Sequence, residues 1–472
     1  MNPIDRLFAS AEAAPGATAI CSPAYSTIFA DLATTVRIFS AALKNAGVKE
    51  GQIVGVGCRP ELECVIALSL MQIGAISLTL SQQVMRAYKD KIDFVVTDDE
   101  KTLLPPNRIL RITEETFAEL GKFRPEEEVA DLEPESLVRL VFSSGTTGTP
   151  KGVPFTAENL IARTNSARIN WMPELPFMSL LGLDTVTGMQ TFFWSVFNGQ
   201  TYFAASNGEG NLKLITENHV KSIKSSPARL KDLIDAAEAN GTKTDLEIIQ
   251  IAGSLLDARS VRRCESVFGI TPTYLYGSTE VGTVTRGKFQ QQTPNNLGKP
   301  VDDIEFEIVD DHGHATPAGN LGRIRYRKSG MPRSYWQQTT NKTTGFIDGW
   351  FYPGDFASMN NQGELELSGR TDDLVNLGGA KFNLLELDLW LQGLELFDEV
   401  AAFKVLNEFN ELELGIAFVS ALPPIPELLA EQVKSFLPDL DYQYLVRLPK
   451  LPRNKLDKVD RSELAKLVKR LD

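Results

Sequence analysis

The chain has 472 residues, of which 43% are hydrophobic and 23% are charged, and its formal net charge is −13. A chain of this length and ordinary composition should fold into two or three globular domains around a large core. The acidic balance argues against a nucleic-acid partner, which would require clustered lysine and arginine.

No pattern in the chain is typical of a targeting segment or a metal site. The residues from Met1 to Leu7 lack the basic and apolar parts of a secretory signal, and no apolar run reaches the length of a membrane span. We therefore expect a cytoplasmic protein without a membrane span. The four cysteines form no CxxC pair, and His312 and His314 stand in an acidic, glycine-containing stretch that predicts a solvated hairpin tip.

Residues 1–140 alternate between helical and strand patterns. Apolar residues follow helical spacing before Gly47 and again after Pro60, where a second helix should begin. Residues 53–56 and 75–80 are short apolar runs of the kind found in buried strands. Strands that alternate with helices predict crossover units and a largely parallel sheet.

A loop of glycines and hydroxyl residues follows the apolar run at residues 140–142. It contains, in order, Ser143, Ser144, Gly145, Thr146, Thr147, Gly148 and Lys151. Backbone amides without side-chain bulk, hydroxyls and an ammonium group can converge there on a phosphate. A Walker loop has its lysine directly after the second glycine and then Ser or Thr, whereas Lys151 is followed by Gly152. The loop therefore indicates phosphate binding of another kind, or else a surface turn.

Residues 274–280 read Tyr-Leu-Tyr-Gly-Ser-Thr-Glu, with an aromatic residue before a glycine turn and a carboxylate after it. An aromatic ring at such a turn offers a flat face to a purine. A hydroxyl and a carboxylate three to four residues on can meet a phosphate and Mg²⁺. The alternative is a strand that ends in a turn with a surface glutamate.

After residue 300 the sequence changes to clean alternation of polar and apolar residues. Residues 304–309, 322–326 and 363–367 alternate in this way and predict antiparallel strands with one solvated face, in a small barrel. Asp355 ends the string that begins at Gly349; a buried carboxylate there needs hydrogen-bond donors, and the two hydroxyls of a ribose are suitable ones. From about Thr371 onward the sequence predicts a compact α+β unit.

Several strings, in this order, resemble the signature motifs of the adenylate-forming enzymes, which include acyl-CoA synthetases, firefly luciferase and the adenylation domains of peptide synthetases. They are residues 140–153, 274–280, 349–355, 369–373 and 451–461. The resemblance implies an α/β fold with a large N-terminal AMP-binding domain, residues 1–369, of two α/β subdomains plus a small β-barrel. Residues 370–472 should form a small mobile α+β C-terminal domain, a lid that carries the catalytic lysine.

The same resemblance implies a site for ATP and Mg²⁺. It assigns the loop from Ser143 to Lys151 to the β- and γ-phosphates and Thr279 to the α-phosphate. Glu280 is expected to take part in catalysis as the magnesium ligand. The other residues that it implies for nucleotide binding are Gly253, Ser254, Tyr276 (against adenine), Gly277, Ser278, Asp355 (at the ribose) and Arg370 (at ribose or phosphate).

Two residues of the C-terminal part have roles implied by the resemblance alone. Asp372 is expected to be the hinge about which this domain rotates between two half-reactions. Lys458 is expected to be the catalytic lysine, which supplies positive charge to the reacting groups only when the domain is closed. Relatives generally have threonine in place of Pro353 and glycine in place of Asp457. The proline should leave ribose binding intact, whereas the acidic neighbour could offset part of the charge of Lys458.

The expected substrate pocket contains Asp184, Ala252 and Gly282. Ala252 stands where relatives usually have the first of two glycines, at one wall of the acyl pocket. Peptide-synthetase domains have an aspartate near the position of Asp184 that holds the substrate amine; a helix cap or a surface aspartate is the alternative. Residues 192–194 are aromatic and are expected to build core.

The predicted function is activation of a carboxylic acid by ATP to an acyl-adenylate, with release of pyrophosphate. The acyl group should then pass to an acceptor supplied in trans, for which coenzyme A is the first choice. A carrier protein, or an amine that yields an amide, is the alternative acceptor. A non-catalytic relative that binds a nucleotide or an acyl-adenylate is the alternative of another class.

Overall fold

The structure is a computed structural model of the chain that describes residues 2–472 apart from 100–107, 144–148, 172–175, 338–344, 378–379, 395, 410, 423, 439, 454–457 and 469–472. Its helices are, in chain order, α1 Asp5–Ala13, α2 Phe29–Asn45, α3 Pro60–Gln72, α4 Gln82–Tyr88, α5 Glu114–Leu120, α6 Ala157–Trp171, α7 Val186–Phe197, α8 Gly208–Glu217, α9 Pro227–Asn240, α10 Ala258–Phe268, α11 Leu384–Gly393, α12 Pro426–Phe436 and α13 Arg461–Val468. A 3-10 turn covers Thr371–Asp373.

The strands are β1 Thr18–Cys21, β2 Ser26–Ile28, β3 Ile53–Gly57, β4 Ile76–Thr79, β5 Phe94–Thr97, β6 Ile109–Arg111, β7 Leu137–Ser143, β8 Lys151–Thr156, β9 Phe177–Ser179, β10 Tyr202–Phe203, β11 Ser222–Ser225, β12 Ile248–Ala252, β13 Thr273–Ser278, β14 Gly282–Lys288, β15 Lys299–Pro300, β16 Glu305–Val309, β17 Gly322–Arg327, β18 Gly345–Ile347, β19 Trp350–Tyr352, β20 Asp355–Met359, β21 Leu365–Arg370, β22 Leu374–Leu377, β23 Ala380–Asn383, β24 Glu399–Leu406, β25 Leu412–Val419 and β26 Tyr444–Arg447.

The first large sheet has the strand order β6-β5-β3-β4-β7-β8. All of its neighbouring pairs are parallel except β7 with β8, which are joined by the expected phosphate loop. The predicted helices before Gly47 and after Pro60 are α2 and α3, and the predicted strands are β3 and β4. Helices α1, α2, α3 and α7 bury their apolar faces in one core against this sheet, so the crossover prediction is confirmed.

The second large sheet has the order β15-β14-β13-β12-β11-β9. Strands β9, β11, β12 and β13 are parallel, and β14 and β15 extend the sheet in antiparallel fashion. One face packs on α8, α9 and α10 in a second core. Residues of α6 and α7 contribute Ala167, Trp171 and Trp194 to a smaller apolar cluster that includes Leu275 of β13. The two sheets are the two α/β subdomains that the sequence predicts.

Strands β16 to β21 form the small antiparallel β unit. The pattern of residues 304–309 and 322–326 is confirmed by β16 and β17, which pair along their whole length. The other edge of β17 pairs with two strands: β19 near the carboxyl end of β17 and β20 near its amino end. Strand β17 therefore has three neighbours, β16, β19 and β20. The last strand of this β unit, β21, ends at Arg370.

The chain after residue 374 has cores of its own. Strands β24, β25 and β26 form one sheet, with α11 and α12 against one core and α13 against another, and every buried member of these two cores follows residue 374. The predicted fold class, two α/β subdomains with a small β unit and a small α+β unit at the C-terminal end, is confirmed. In the described part of the chain, no helix combines the length and the apolar character that crossing a membrane requires.

Candidate active site

Two neighbouring parallel strands bring expected adenine-binding residues to one edge of the second sheet. Gly253 and Ser254 follow β12, while Tyr276 lies near the carboxyl end of β13 and Glu280 just beyond it. The carboxyl ends of adjacent parallel strands meet at one edge of a sheet, where ligands bind in open α/β sheets. The hydroxyl oxygen of Ser254 is buried and has no hydrogen-bond partner among the described residues. A polar ligand at this edge would supply that partner, so Ser254 fits a nucleotide.

Tyr276, Asp355 and Arg370 form a connected polar group. The Tyr276 hydroxyl donates a 2.6 Å hydrogen bond to Oδ2 of Asp355. Arg370 pairs with Asp355 across β20 and β21, and its Nε lies 3.3 Å from Oδ1 of the same carboxylate. Arg370 also donates a 3.0 Å hydrogen bond from Nη2 to the carbonyl oxygen of Pro353, an acceptor that a proline retains although it has no backbone amide hydrogen. The expected purine residue and the expected ribose residues therefore lie together.

Burial raises the pKa of the Tyr276 hydroxyl, and the charge of Asp355 raises it further. The phenol therefore stays protonated and remains a hydrogen-bond donor. The Asp355 side chain is 13% exposed and keeps a path to solvent. Its oxygens can accept hydrogen bonds from a ribose as well as from Tyr276.

Gly277 and Gly282 allow the hairpin between β13 and β14 to close tightly. A Cβ atom on Gly277 would lie 1.9 Å from the carbonyl oxygen of Gly282, which no side chain can accommodate. Gly282 has a φ of +89°, and a Cβ there would lie 3.2 Å from Nη2 of Arg163. Thr279 and Glu280 occupy the turn between these two strands. The glycines thus fix the backbone that carries both residues, and Gly282 lies against Arg163.

Arg163 of α6 binds the backbone of this turn. No motif in the sequence indicates this role. Nη1 of Arg163 donates a 2.7 Å hydrogen bond to the carbonyl oxygen of Glu280, and Nη2 donates to the carbonyl oxygen of Thr279 at 3.2 Å. The side chain is 1% exposed. Burial lowers the pKa of Arg163 to about 10, which still leaves it charged at neutral pH. The buried cation orients the expected α-phosphate and magnesium residues.

The carboxylate of Glu280 is linked to the lysine of the phosphate loop through Tyr335. The Tyr335 hydroxyl donates to Oε1 of Glu280 at 2.8 Å, and the ammonium of Lys151 lies 5.1 Å from the centre of the Tyr335 ring. Glu280 is 5% exposed. Mg²⁺ is usually bound by one or two carboxylates together with substrate phosphates, so Glu280 fits as its protein ligand. Among the described residues no cluster of three or more metal-binding side chains occurs.

The two ends of the expected phosphate loop are paired. Ser143 of β7 lies opposite Lys151 of β8 in the antiparallel register. The Tyr88 hydroxyl donates to the carbonyl oxygen of Pro150 at 2.6 Å, which ties this hairpin to α4. Predictions for Ser144, Gly145, Thr146, Thr147 and Gly148 fall outside the described residues.

The C-terminal α+β unit brings Lys458 to the same site. Burial lowers the pKa of Lys458, and the nearby positive charge of Arg370 lowers it further. The negative charges of Asp355, Glu280 and Asp373 act in the opposite direction. The charges that act on Lys458 are thus those of the expected ribose and magnesium residues. Asp457 lies outside the described residues.

Two contacts of this unit involve Asp372, the expected hinge residue, and Arg461, which follows Lys458 in the chain. The carbonyl oxygen of Asp372 accepts a 2.6 Å hydrogen bond from Lys404 of β24, which also donates to the carbonyl oxygen of Leu374 at 3.3 Å. Arg461, three residues after Lys458, forms an ion pair with Asp388 of α11. Burial raises the pKa of Asp388 to about 6, although Arg461 opposes the rise. The Lys458 segment is therefore bound to α11 by an ion pair whose carboxylate is buried.

The residues predicted to line the substrate pocket lie in different environments. Ala252 ends β12 and packs against the apolar cluster of Trp171, Phe177 and Trp194, whereas Asp184 is exposed. The cap of α7 is Thr185, whose side chain accepts a hydrogen bond from the amide of Gly188, so the alternative of Asp184 as a helix cap is wrong. Residues 192–194 are buried in α7, as predicted.

Comparison with known proteins identifies the family of this site. The sequence model of the AMP-binding enzyme family matches residues 7–336, which include Ser143, Lys151, Tyr276 and Glu280. The chain belongs to the AMP-binding enzyme family. Members of this family are adenylate-forming ligases, so the resemblance found in the sequence is confirmed.

Relatives of this AMP-binding enzyme include both large synthases and free-standing enzymes. Over 462 residues it is 25% identical to tyrocidine synthase 3 of Brevibacillus parabrevis; the match covers 90% of this chain but spans only 7% of the length of that protein. The solved o-succinylbenzoate CoA synthetase of Bacillus subtilis with its acyl-adenylate is similar with a TM-score of 0.82, 21% identity and 97% of each chain covered. The amide bond synthetase McbA of Marinactinospora thermotolerans has a TM-score of 0.80 at 17% identity, over 98% of this chain and 99% of that one. These structures share the fold.

Proposed function

We propose that this AMP-binding enzyme is an acid–thiol ligase that activates a carboxylic acid with Mg-ATP and transfers the acyl group to coenzyme A. The observation that carries the proposal is the position of Lys458, whose pKa responds to the charges of Arg370, Asp355 and Glu280. An ammonium, a ribose-binding carboxylate and a metal-binding carboxylate in one site match the needs of adenylation.

In the first half-reaction the substrate carboxylate attacks the α-phosphorus of ATP in line and expels pyrophosphate. Asp355 and Arg370 hold the ribose, Thr279 contacts the α-phosphate, and Lys151 with the loop from Ser143 holds the β- and γ-phosphates. Glu280 would hold Mg²⁺, which would supply positive charge to the phosphates. Lys458 supplies positive charge where two anions approach each other.

The second half-reaction needs Lys458 to leave and an acceptor to enter. We propose that the chain from residue 370 onward rotates about Asp372 as one domain, and that residues 1–369 stay in place. Coenzyme A is the proposed acceptor, because a free thiol can attack the acyl carbonyl and displace AMP. A carrier protein or an amine would use the same adenylating site, since the acceptor enters only after the acyl-adenylate has formed.

The test is pyrophosphate release from Mg-ATP with a panel of fatty, aryl, alicyclic and amino acids, each with and without coenzyme A. Acyl-CoA that appears only when both the acid and CoA are present supports the proposal. Acid-dependent release that ignores CoA would replace CoA by a carrier protein or an amine. A Lys458→Ala variant should bind ATP but lose release; if wild type and variant both bind ATP and are equally inert, the protein is a non-catalytic nucleotide-binding relative.

A further inference from the structure

Lys224 is a buried cation in the second sheet that the proposed adenylation chemistry does not use. It lies in β11 and is 4% exposed. Its ammonium lies 3.9 Å from the centre of the Trp171 ring. Within the part of the chain that the structure describes, no charged group contributes to the pKa of Lys224, and burial alone lowers that pKa to about 7.

The register of the sheet places Lys224 on the face that bears Ala252. Side chains alternate along a strand, and Ile223 belongs to the core on the opposite face. Lys224 pairs with Gln250 of β12, and Ala252 stands two residues further along that strand on the same face. Each residue of a parallel strand advances about 3.3 Å along the strand. Ala252 is therefore displaced by about 7 Å along β12 from Gln250, the residue paired with Lys224, toward the proposed nucleotide edge.

Large aromatic side chains cover the same face. The Trp171 ring, which Lys224 contacts, packs on Phe177 at 6.5 Å between ring centres, and Phe177 packs on Trp194 at 5.7 Å. Ala252 packs against this cluster. A substrate whose reacting carboxylate lies at the nucleotide edge and whose chain runs along Ala252 therefore approaches Lys224 with its other end.

We propose that Lys224 binds a second carboxylate at the far end of the substrate, so that the acid activated by this enzyme is a dicarboxylic acid. The inference rests on the proposed function, because it uses the adenylating site to orient the acid. A buried ammonium without an anionic partner is unfavourable, and aromatic contact offsets only part of that cost. A carboxylate of the substrate would restore the charged form of Lys224 and would be desolvated between the same aromatic walls.

The kinetic test uses pairs of acids that differ only in the distal group. Aliphatic and aromatic dicarboxylic acids are compared with their monomethyl esters in Mg-ATP-dependent pyrophosphate release. We expect at least one diacid to exceed its ester by about 100-fold in kcat/KM. Lys224→Met should lower kcat/KM for the diacid by about 100-fold, mainly by raising KM, and should leave kcat/KM for the ester nearly unchanged. Lys221→Met is the matched control, because Lys221 is a surface residue that pairs with Glu247.

A thermal-unfolding measurement gives a readout that does not need turnover. The preferred diacid should raise the Tm of wild type and of Lys221→Met, but not that of Lys224→Met, and its monomethyl ester should raise none of them. If esters are adenylated as well as diacids, or if Lys224→Met changes both alike, the proposal about Lys224 is wrong while the ligase stands. If no acid is adenylated but the Tm differences appear as described, Lys224 binds the diacid and the proposed ligase function fails instead.

Discussion

The Tyr276 hydroxyl donates a hydrogen bond to the same Asp355 carboxylate that Arg370 approaches from the other side. Tyr276 lies near the end of a strand of the second α/β subdomain, and Asp355 begins a strand of the small β unit. The expected adenine residue and the expected ribose carboxylate are therefore held together by one contact between two parts of the fold. The proposed nucleotide site should therefore depend on this contact for its shape as well as on the individual side chains.

Replacing Asp355 should weaken ATP binding far more than removing the hydroxyl of Tyr276. Asp355→Ala removes both oxygens that we expect to accept from the ribose and leaves Arg370 without its carboxylate, and we expect about a 100-fold rise in the KM for ATP. Tyr276→Phe keeps the ring face and should change that KM by less than about fivefold. Steady-state pyrophosphate release against ATP concentration checks both. A larger effect in Tyr276→Phe than in Asp355→Ala would show that the phenol, rather than Asp355, contacts the nucleotide.

Arg163→Met should damage the site without touching a substrate group. The change leaves the carbonyl oxygens of Thr279 and Glu280 without their buried donor, at a cost of about 2–5 kcal/mol in the free energy of unfolding. The turn should then hold Glu280 less firmly, so the Mg²⁺ concentration for half-maximal activity should rise. Urea unfolding and a Mg²⁺ titration are the measurements. Arg263→Met is the control, since that surface arginine pairs with Asp235 and Glu238 and should cost under about 1 kcal/mol.

The charge of Lys458 should set an alkaline limit on adenylation. Burial and the charge of Arg370 lower the pKa of Lys458, so its positive charge is lost as pH rises at values below those of an ordinary lysine. The rate of acid-dependent ATP–pyrophosphate exchange should fall in that range. In Lys458→Arg the residual rate should persist to higher pH, because a guanidinium stays protonated there. An alkaline limb that is the same in both proteins would assign the limit to another group; the exposed Lys466→Met serves as control.

The ion pair between Arg461 and Asp388 should anchor the segment that carries Lys458. Arg461→Gln leaves the buried carboxylate of Asp388 unpaired, which should cost about 3–5 kcal/mol. The pKa of Asp388 is raised to about 6, so the carboxyl becomes neutral as pH falls and the loss should be smaller at pH 5 than at pH 8. Urea unfolding of wild type and Arg461→Gln at pH 5 and pH 8 measures this loss of stability. The double change Arg461→Gln with Asp388→Asn should be more stable at pH 8 than Arg461→Gln alone.

The placement of residues within short sequence motifs could be predicted, because the chain itself keeps them together. Tyr276 and Glu280 are four residues apart around one glycine turn, and the strand before them fixes the edge at which they lie. The alternating patterns were also sufficient to predict strands of the β unit, and the helical spacing was sufficient to predict α2 and α3. In each case one local periodicity determines which face is buried.

Residues that act across large sequence separations could not be predicted in this way. Arg163 and Glu280 are 117 positions apart, and their contact exists only because α6 packs beside β14. Tyr335 reaches Glu280 over 55 positions from a segment without helical or strand pattern. The clearest available signal was Lys224, a lysine inside a strand that the sheet buries on both faces. A charged residue at such a position marks either a partner or a ligand.

Lys224 should make the stability of the protein depend on pH in the alkaline range. Its pKa is lowered to about 7 in the folded state, whereas an unfolded lysine titrates near 10.4. Between these values the unfolded chain binds more protons, so stability should rise as pH increases from about 7 toward 10. At 1.36 kcal/mol per pH unit, the full span between the two pKa values corresponds to about 5 kcal/mol. Arg168 of α6 carries a nearby fixed charge, which lies over Trp194 and does not titrate in this range.

Lys224→Met should be more stable than wild type at pH 7 and should lose most of this rise. Methionine fills a similar volume and needs no proton, so the buried ammonium no longer opposes folding. Urea unfolding of both proteins at pH 7 and pH 9, with Lys221→Met as a surface control, measures the difference. A wild-type stability that is flat over this range, with Lys224→Met no more stable at pH 7, would mean that the ammonium already has an anionic partner within the protein. The carboxylate of a substrate would then have no cation to bind at this place.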